Sequence, residues 1–377
     1  MKEVFITRVA KFLPNDPISN EEMESYLGMI DGVPSKGKGI TLRSNGIKTR
    51  YYAIDKNGKS THSNAKLTAL AVEQLTDKDF SQKDIELLAC GTTSPDNLLP
   101  SHAAMVHGEL NCGPVELVST SGACCTSMQA LKYGYNSILA GSTTNAVCTG
   151  SEKLSTLMRA DHFEKETERL AELDKHPIIA FEKDFLRWML SDGAGAVLLE
   201  DKPRGKQSLK VEWIDIKSFA NEFETCMYAG ADKNSDGSTT GWKDYSSQAW
   251  LDSSIFAFKQ DVKLLGKSIV PIGAVYLKEL LQKKGINVNE IDFILPHISS
   301  EFFRGKMQEE FEKLGIPIAN EKWFTNLTRV GNVGSGSIFI MLEELMNSGN
   351  LKKGQKLILM VPESARFTYA FSLLTVC

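Results

Sequence analysis

The chain of 377 residues carries 43 Lys and Arg against 47 Asp and Glu, a formal net charge of -4, with 42% hydrophobic and 24% charged residues. This balance excludes a disordered or collagen-like chain and offers no global basic surface for nucleic acid. No run reaches the ~18 consecutive apolar residues of a membrane span. The opening Met1 to Thr7 lacks the basic region and apolar run of a secretory signal, so a cytoplasmic protein is expected. The seven cysteines are irregularly spaced and form no CxxC pair, which argues against a zinc site and for reduced thiols, mostly buried.

Apolar runs alternate with helical patterns along the chain. Asn64 to Leu75 has helical spacing and precedes a strand at Ile85 to Cys90. Val115 to Ser119 is a second strand, and Met128, Leu131, Tyr135, Ile138 and Leu139 mark the helix after it. Strands are predicted at Asn145 to Thr149 and Gly193 to Leu199. The second half repeats the theme. A helix is expected at Ala274 to Lys283, a strand at Ile291 to Leu295 and a helix at Ser337 to Met346. Strands at Leu357 to Val361 and Phe367 to Phe371 close the chain. This alternation implies an α/β fold, and the similar halves suggest a duplication. Two polar stretches interrupt it, Thr156 to Leu190 and Phe219 to Leu251. Surface loops and a lid or tunnel wall over a site are both open readings.

Three positions stand out chemically. In Thr120-Ser-Gly-Ala-Cys124-Cys125 a strand ends, small residues turn the chain, and a helix begins at or next to Cys124. A thiol there faces the positive end of the helix dipole, so its pKa is expected to fall. Its backbone N–H can point at a developing oxyanion. His297 ends the apolar strand Phe293-Ile-Leu-Pro296, and Asn332 lies in the glycine-rich turn Gly331-Asn332-Val-Gly334 before a helix. Alone, the cysteine is equally readable as a buried structural one, while a capped or packed histidine and a turn asparagine are the commoner readings of the other two.

Together with Ser44-Asn-Gly-Ile-Lys-Thr-Arg50, Cys90-Gly-Thr-Thr-Ser-Pro-Asp96 and Asp192-Gly-Ala-Gly-Ala-Val197, these segments occur in an order that resembles the thiolase-fold ketosynthases, and within them the ketoacyl synthase III branch. The resemblance spans nearly the whole chain. It implies a thiolase-like five-layered αβαβα fold of two halves, residues 1–201 with the nucleophile and residues 202–377 with the histidine and asparagine. It further implies a homodimer, and no metal or bound organic cofactor, because the thioester carrier is the activating group. The catalytic triad carries over to Cys124, His297 and Asn332. The cysteine holds an acyl group, and the other two stabilise the enolate of a second thioester that attacks it. Cys125 competes by position, but the family's spacing to Ala130 and Leu131 favours Cys124.

The chain departs from the family at several positions. Ala365 stands at the family's backbone oxyanion donor. Glu363 and Arg366 replace an aromatic and a glycine, so Arg366 either pairs with Glu363 or binds a substrate carboxylate or keto oxygen. Ser300 replaces an asparagine after the histidine, and Phe302 replaces a basic residue. Glu152 serves either as a base or as a turn holder. Ala365, Arg366, Ser300 and Glu152 are therefore expected around the substrate. Arg304 and Lys306, with Lys36, Lys38, Arg43, Lys48 and Arg50, are candidates to meet an acidic carrier protein. The stretches Pro296-His-Ile-Ser-Ser300 and Pro362-Glu-Ser-Ala-Arg-Phe367 resemble bacterial ketosynthases that build dialkylresorcinol and cyclohexanedione precursors. That implies a Claisen-type joining of a β-ketoacyl thioester to a second fatty-acyl thioester, with acyl carrier protein or coenzyme A as carrier. The alternatives are decarboxylative condensation with a malonyl thioester, hydroxymethylglutaryl-CoA-type chemistry, and a non-catalytic partner subunit.

Overall fold

The computed structural model describes residues 2–172, 181–205 and 207–377. The main sheet takes five strands from the first half: β1 (Phe5–Phe12), β2 (Leu87–Thr92), β3 (Glu116–Ser121), β4 (Asn145–Glu152) and β5 (Gly193–Glu200). Four come from the second: β6 (Leu209–Ser218), β7 (Phe293–Pro296), β8 (Lys356–Glu363) and β9 (Thr368–Val376). The main helices are α1 (Asn64–Glu73), α2 (His102–Glu109), α3 (Thr126–Ala140), α4 (Val262–Lys284), α5 (Phe302–Lys313) and α6 (Ser337–Asn347).

The sheet order is β7-β8-β9-β6-β1-β5-β4-β2-β3. β2 pairs in parallel with β3 and β4, β4 pairs antiparallel with β5, and β5 antiparallel with β1. In the second half β7 is parallel to β8, and β8, β9 and β6 follow antiparallel. The two halves thus share one strand order, except that β3 has no counterpart in the second. The expected pair of sheets is one hydrogen-bonded ladder of nine strands, because β1 and β6 pair at Phe5↔Lys210 and Ile6↔Leu209. The expected 201/202 boundary falls just after β5, where residues 202–205 are exposed.

Burial explains the layers. α3 and α6 contribute Met128, Leu131, Ile138, Phe339, Leu342 and Leu345 to one apolar cluster, which also takes strand residues from both halves. α1 and α2 cover the outer face of the first half, and α4 and α5 that of the second. Close approach sets two glycines in the first half. A Cβ on Gly91 would lie 2.5 Å from the Thr126 carbonyl carbon, and one on Gly150 2.3 Å from the Ser335 oxygen, so the first turn of α3 and the turn leading into α6 rest directly on the strands.

Two expectations are corrected here. α4 starts twelve residues before Ala274 and runs through Pro271, whose ring leaves one helical acceptor without its donor. Leu265, Ile269, Val270 and Ala274 continue the buried face across the proline and hold the helix together. β1 and β6 were not anticipated, although Leu209, Val211 and Trp213 are buried at alternate positions along β6. Of the polar stretch at 156–190, residues 173–180 lie outside the described residues.

Candidate active site

Cys124 sits in the turn between β3 and α3. The helix begins at Thr126 with Cys125 as its N-cap residue, so Cys124 lies one residue outside the cap. Cys125 is drawn away from the site: its Sγ–H donates to the Val361 carbonyl at 3.2 Å, and it is buried. His297 follows β7, with its N–H donating to the Met360 carbonyl at 2.8 Å. Asn332 is held from three sides. Its N–H donates to Met189 O at 3.0 Å and its carbonyl accepts from Ser191 N at 2.9 Å. Its side-chain oxygen accepts from Gly334 N at 2.9 Å. With that oxygen occupied, the amide NH2 is the end that is left to act as a donor. The glycines around it are required: Gly331 has φ 78°, and a Cβ on Gly334 would meet Glu152 Cγ at 2.9 Å.

Cys124, His297 and Asn332 line one cavity. The rest of its wall is mainly apolar. Phe185, Leu186 and Leu190 come from the first polar stretch, and Met227 from the second. Leu265 and Ile269 of α4 and Phe303 and Met307 of α5 add to it. Of the open readings of the two stretches, the tunnel wall therefore applies to these residues. Lys183, in the first stretch, joins Glu166 at 2.5 Å and the Ser253 carbonyl at 2.8 Å.

The electrostatics differ from expectation. Burial pushes the Cys124 thiol well above its usual range, and the carboxylates of Glu363 and Glu152 add to the rise. Burial, aided by these two carboxylates, outweighs the dipole. Burial also pushes His297 down to about 4. The resting pair is thus a neutral thiol and a neutral imidazole.

The four remaining expected residues are placed otherwise. Glu152 is buried and accepts from Thr93 N and Oγ1, Ser94 Oγ, and Ser335 N and Oγ. These bonds saturate it as a clamp between β2, β4 and the entry to α6, and it does not line the cavity. Ser300 Oγ donates to the Ser44 carbonyl at 3.0 Å and accepts from Phe302 N at 3.2 Å, so it fixes the start of α5. Arg366 points away, its Nε donating to the Phe223 carbonyl at 2.9 Å. The Ala365 N–H donates to Glu363 Oε1 at 2.8 Å and is engaged in this state. Arg50 is fully buried beneath Gly331 and so is no part of a docking surface.

Sequence reasoning missed Gln260 and Ser364, which add polar atoms to the cavity wall. Ser364 Oγ has only long contacts, 3.5 Å to Gln260 Oε1 and 3.7 Å to Met227 Sδ. Ser364 lay within the turn already singled out, whereas Gln260 had no local signal. The motif carboxylate Asp192 ties the surroundings together, accepting from Ala53 N at 2.7 Å and Leu154 N at 2.6 Å.

Two family profiles match the chain: "Beta-ketoacyl synthase, N-terminal domain" over residues 58–204 and "3-Oxoacyl-[acyl-carrier-protein (ACP)] synthase III C terminal" over residues 281–374. The chain is 28% identical over 362 residues to the β-ketoacyl-[acyl-carrier-protein] synthase III of Clostridium perfringens, covering 95% of each. It is 27% identical over 357 residues to that of Chlorobaculum tepidum, covering 94% of each. Among solved structures it superimposes on AbyA1, a tetronic acid condensing enzyme, with TM-score 0.77 and 21% identity, over 99% of both chains. OleA of Xanthomonas campestris gives TM-score 0.75 and 18% identity, over 99% of this chain and 98% of that one. No helix among the described residues is long and apolar enough to cross a membrane. Profiles that match in order across both halves, relatives of the same length and a shared thiolase-like fold mark the chain as a condensing acyltransferase similar to the ketoacyl synthase III enzymes.

Proposed function

We propose that the enzyme joins a β-ketoacyl thioester to a second fatty-acyl thioester through an acyl-Cys124, giving the precursor of a dialkylcyclohexanedione or dialkylresorcinol. The observation that carries this reading is a largely apolar cavity with Cys124, His297 and Asn332 in its wall and a Ser364–Gln260 pair facing it. The apolar wall suits alkyl chains, and an under-partnered hydroxyl in it suits a keto oxygen better than a plain acyl chain. Neutral His297 takes the Cys124 proton as the thiol attacks the loading thioester, the carrier C–S bond breaks as the tetrahedral centre collapses, and the proton passes to the departing carrier thiolate. His297 and the Asn332 amide then donate to the oxygen of the second thioester as its enolate forms.

The homodimer is part of the proposal. β3 is an edge strand with most of its residues exposed, including Leu117, an arrangement that soluble proteins avoid unless a partner strand covers it. Exposed Lys36, Arg43, Lys48 and Lys306 lie on the helix Lys36–Asn45, just after it and on α5. The two helices are tied by the bond from Glu301 N to Asn45 O at 3.0 Å. They form the surface proposed to meet an acidic carrier. Decarboxylative condensation of a malonyl thioester is the second reading, favoured by the names of the curated relatives.

Intact-protein mass spectrometry after incubation with acyl and β-ketoacyl thioesters tests the loading step. A mass increment is expected on the wild type and none on Cys124→Ala. Product masses then decide between the readings: a malonyl extension releases carbon dioxide during condensation, whereas the proposed joining retains every carbon of both thioesters. No increment from any donor would remove the acyl-cysteine and the reading with it.

A further inference from the structure

The polar pair in the cavity wall is assembled from three segments. The short strand Lys259–Gln260 pairs antiparallel with Met227–Tyr228 and sets Gln260 opposite Met227. The turn after β8 meets the same strand, because the Ala365 carbonyl accepts from Cys226 N at 2.8 Å and from Met227 N at 3.2 Å. Gln260, Met227 and Ser364 are thereby brought together in the wall of the cavity that also holds Cys124, His297 and Asn332. Gln260 is only 2% exposed. Its Nε2 donates to the Cys226 carbonyl at 3.0 Å and lies 3.1 Å from Cys226 Sγ. This anchors the donor end of the amide and leaves Oε1 as an acceptor on the Ser364 side. The Ser364 hydroxyl reaches Oε1 at 3.5 Å, the outer limit of a hydrogen bond. The wall thus offers one donor, Ser364 Oγ–H, and one fixed acceptor, Gln260 Oε1, side by side. Among the described residues no Lys, Arg, Asp or Glu lines the cavity. A methylene group at the pair would leave both polar atoms unmet. A carboxylate, which only accepts, would meet Oε1 acceptor to acceptor. The complement is an oxygen that both accepts and donates.

We propose that Gln260 and Ser364 determine the specificity for the second thioester by binding the β-oxygen of a β-ketoacyl thioester in its enol form. In that form the β-oxygen carries a proton, so it accepts from Ser364 Oγ and donates to Gln260 Oε1. Enolisation moves one proton from the α-carbon to the β-oxygen, with water as the carrier, and the C–H electron pair becomes the C=C bond. No atom is gained or lost, and the pair selects the enol from this equilibrium rather than creating it. A carbon between two carbonyls enolises far more readily than one beside a single thioester. The β-ketoacyl thioester is therefore the carbon nucleophile, and the plain fatty-acyl group is the one carried on Cys124. His297 and the Asn332 amide hold its thioester oxygen while the pair holds its β-oxygen. These two grips orient the α-carbon that lies between the two oxygens.

This assignment rests on the reading that the enzyme joins a β-ketoacyl to a fatty-acyl thioester. The test measures binding of coenzyme A thioesters to Cys124→Ala, alone and combined with S364A or Q260M. Four ligands of one chain length are compared: the plain acyl and β-ketoacyl thioesters and the 2,2-dimethyl form of each. The dimethyl ketone keeps its β-oxygen but cannot enolise, and the dimethyl acyl ligand measures the steric cost of the methyl groups. In Cys124→Ala the β-ketoacyl ligand is expected to bind about tenfold tighter than the plain one. That advantage should vanish within the dimethyl pair, and in S364A and Q260M. S364A removes a single hydroxyl from a turn, so it decides the matter even where Q260M fails to fold. An advantage that survives in S364A would overturn the role of the pair, and one that persists within the dimethyl ligands would overturn the enol form. No advantage in Cys124→Ala, with wild type still joining the two thioesters, would overturn the subsite alone and leave the proposed function standing. Condensation by wild type of malonyl thioesters only, with carbon dioxide released, would overturn both.

Discussion

At the residue scale the site is a neutral pair waiting for substrate. Because His297 titrates at about 4 in the folded protein, its imidazole stays neutral where an ordinary histidine is charged. The acid limb of kcat/KM is therefore expected below pH 6. Stability carries the same mark. Between about pH 6.5 and 4 the unfolded chain binds a proton at this position that the folded chain refuses, so stability falls as pH falls, by about 1.4 kcal/mol per pH unit. An asparagine does not titrate, so urea unfolding of wild type and H297N at pH 7, 6 and 5 should show wild type losing stability relative to the variant as pH drops. Cys124, His297 and Asn332 were legible only together, through the order of their small-residue turns and strand end along the chain. Glu152, Ser300, Ala365 and Arg366 were not. Their partners are Thr93, Ser335, Ser44, Glu363 and Phe223, and mostly backbone groups or side chains brought close only by the fold.

At the element scale the sheet was legible where burial is continuous, as in β2, β4 and β5, each buried along its whole length. The two joining strands were not, because β1 and β6 carry charges among their apolar positions. α4 was shortened at Pro271 because local propensity stops a helix there, whereas packing carries it through. Gly91 gives this scale its own test. A methyl group there meets the first turn of α3 and has no side chain to displace, only backbone. Gly91→Ala is expected to cost about 1–3 kcal/mol in denaturant unfolding. It should also slow acyl loading, because the turn carrying Cys124 shifts with the helix. Unaltered loading and stability would mean that α3 can move off the strand without cost.

At the scale of the whole molecule, charge and edges set the encounters. Reversing Arg43 and Lys306 to glutamate is expected to raise KM for thioesters on an acidic carrier protein by about tenfold, roughly 1.4 kcal/mol, and to leave coenzyme A thioesters nearly unchanged. Equal effects on both carriers would place the docking surface elsewhere. Light scattering on the purified protein should report twice the chain mass if β3 finds a partner strand, and a monomer would leave that edge open.

The inner layer has a consequence for how the molecule comes apart. α3 and α6 bury their apolar faces in one cluster with strands of both halves, and Cys124 comes from one half while His297 and Asn332 come from the other. Neither half can separate without exposing that cluster to water, so the two should melt as one cooperative unit despite their matching topology. Inactivation and loss of secondary structure should then share a single denaturant midpoint, and either half expressed alone should aggregate rather than fold.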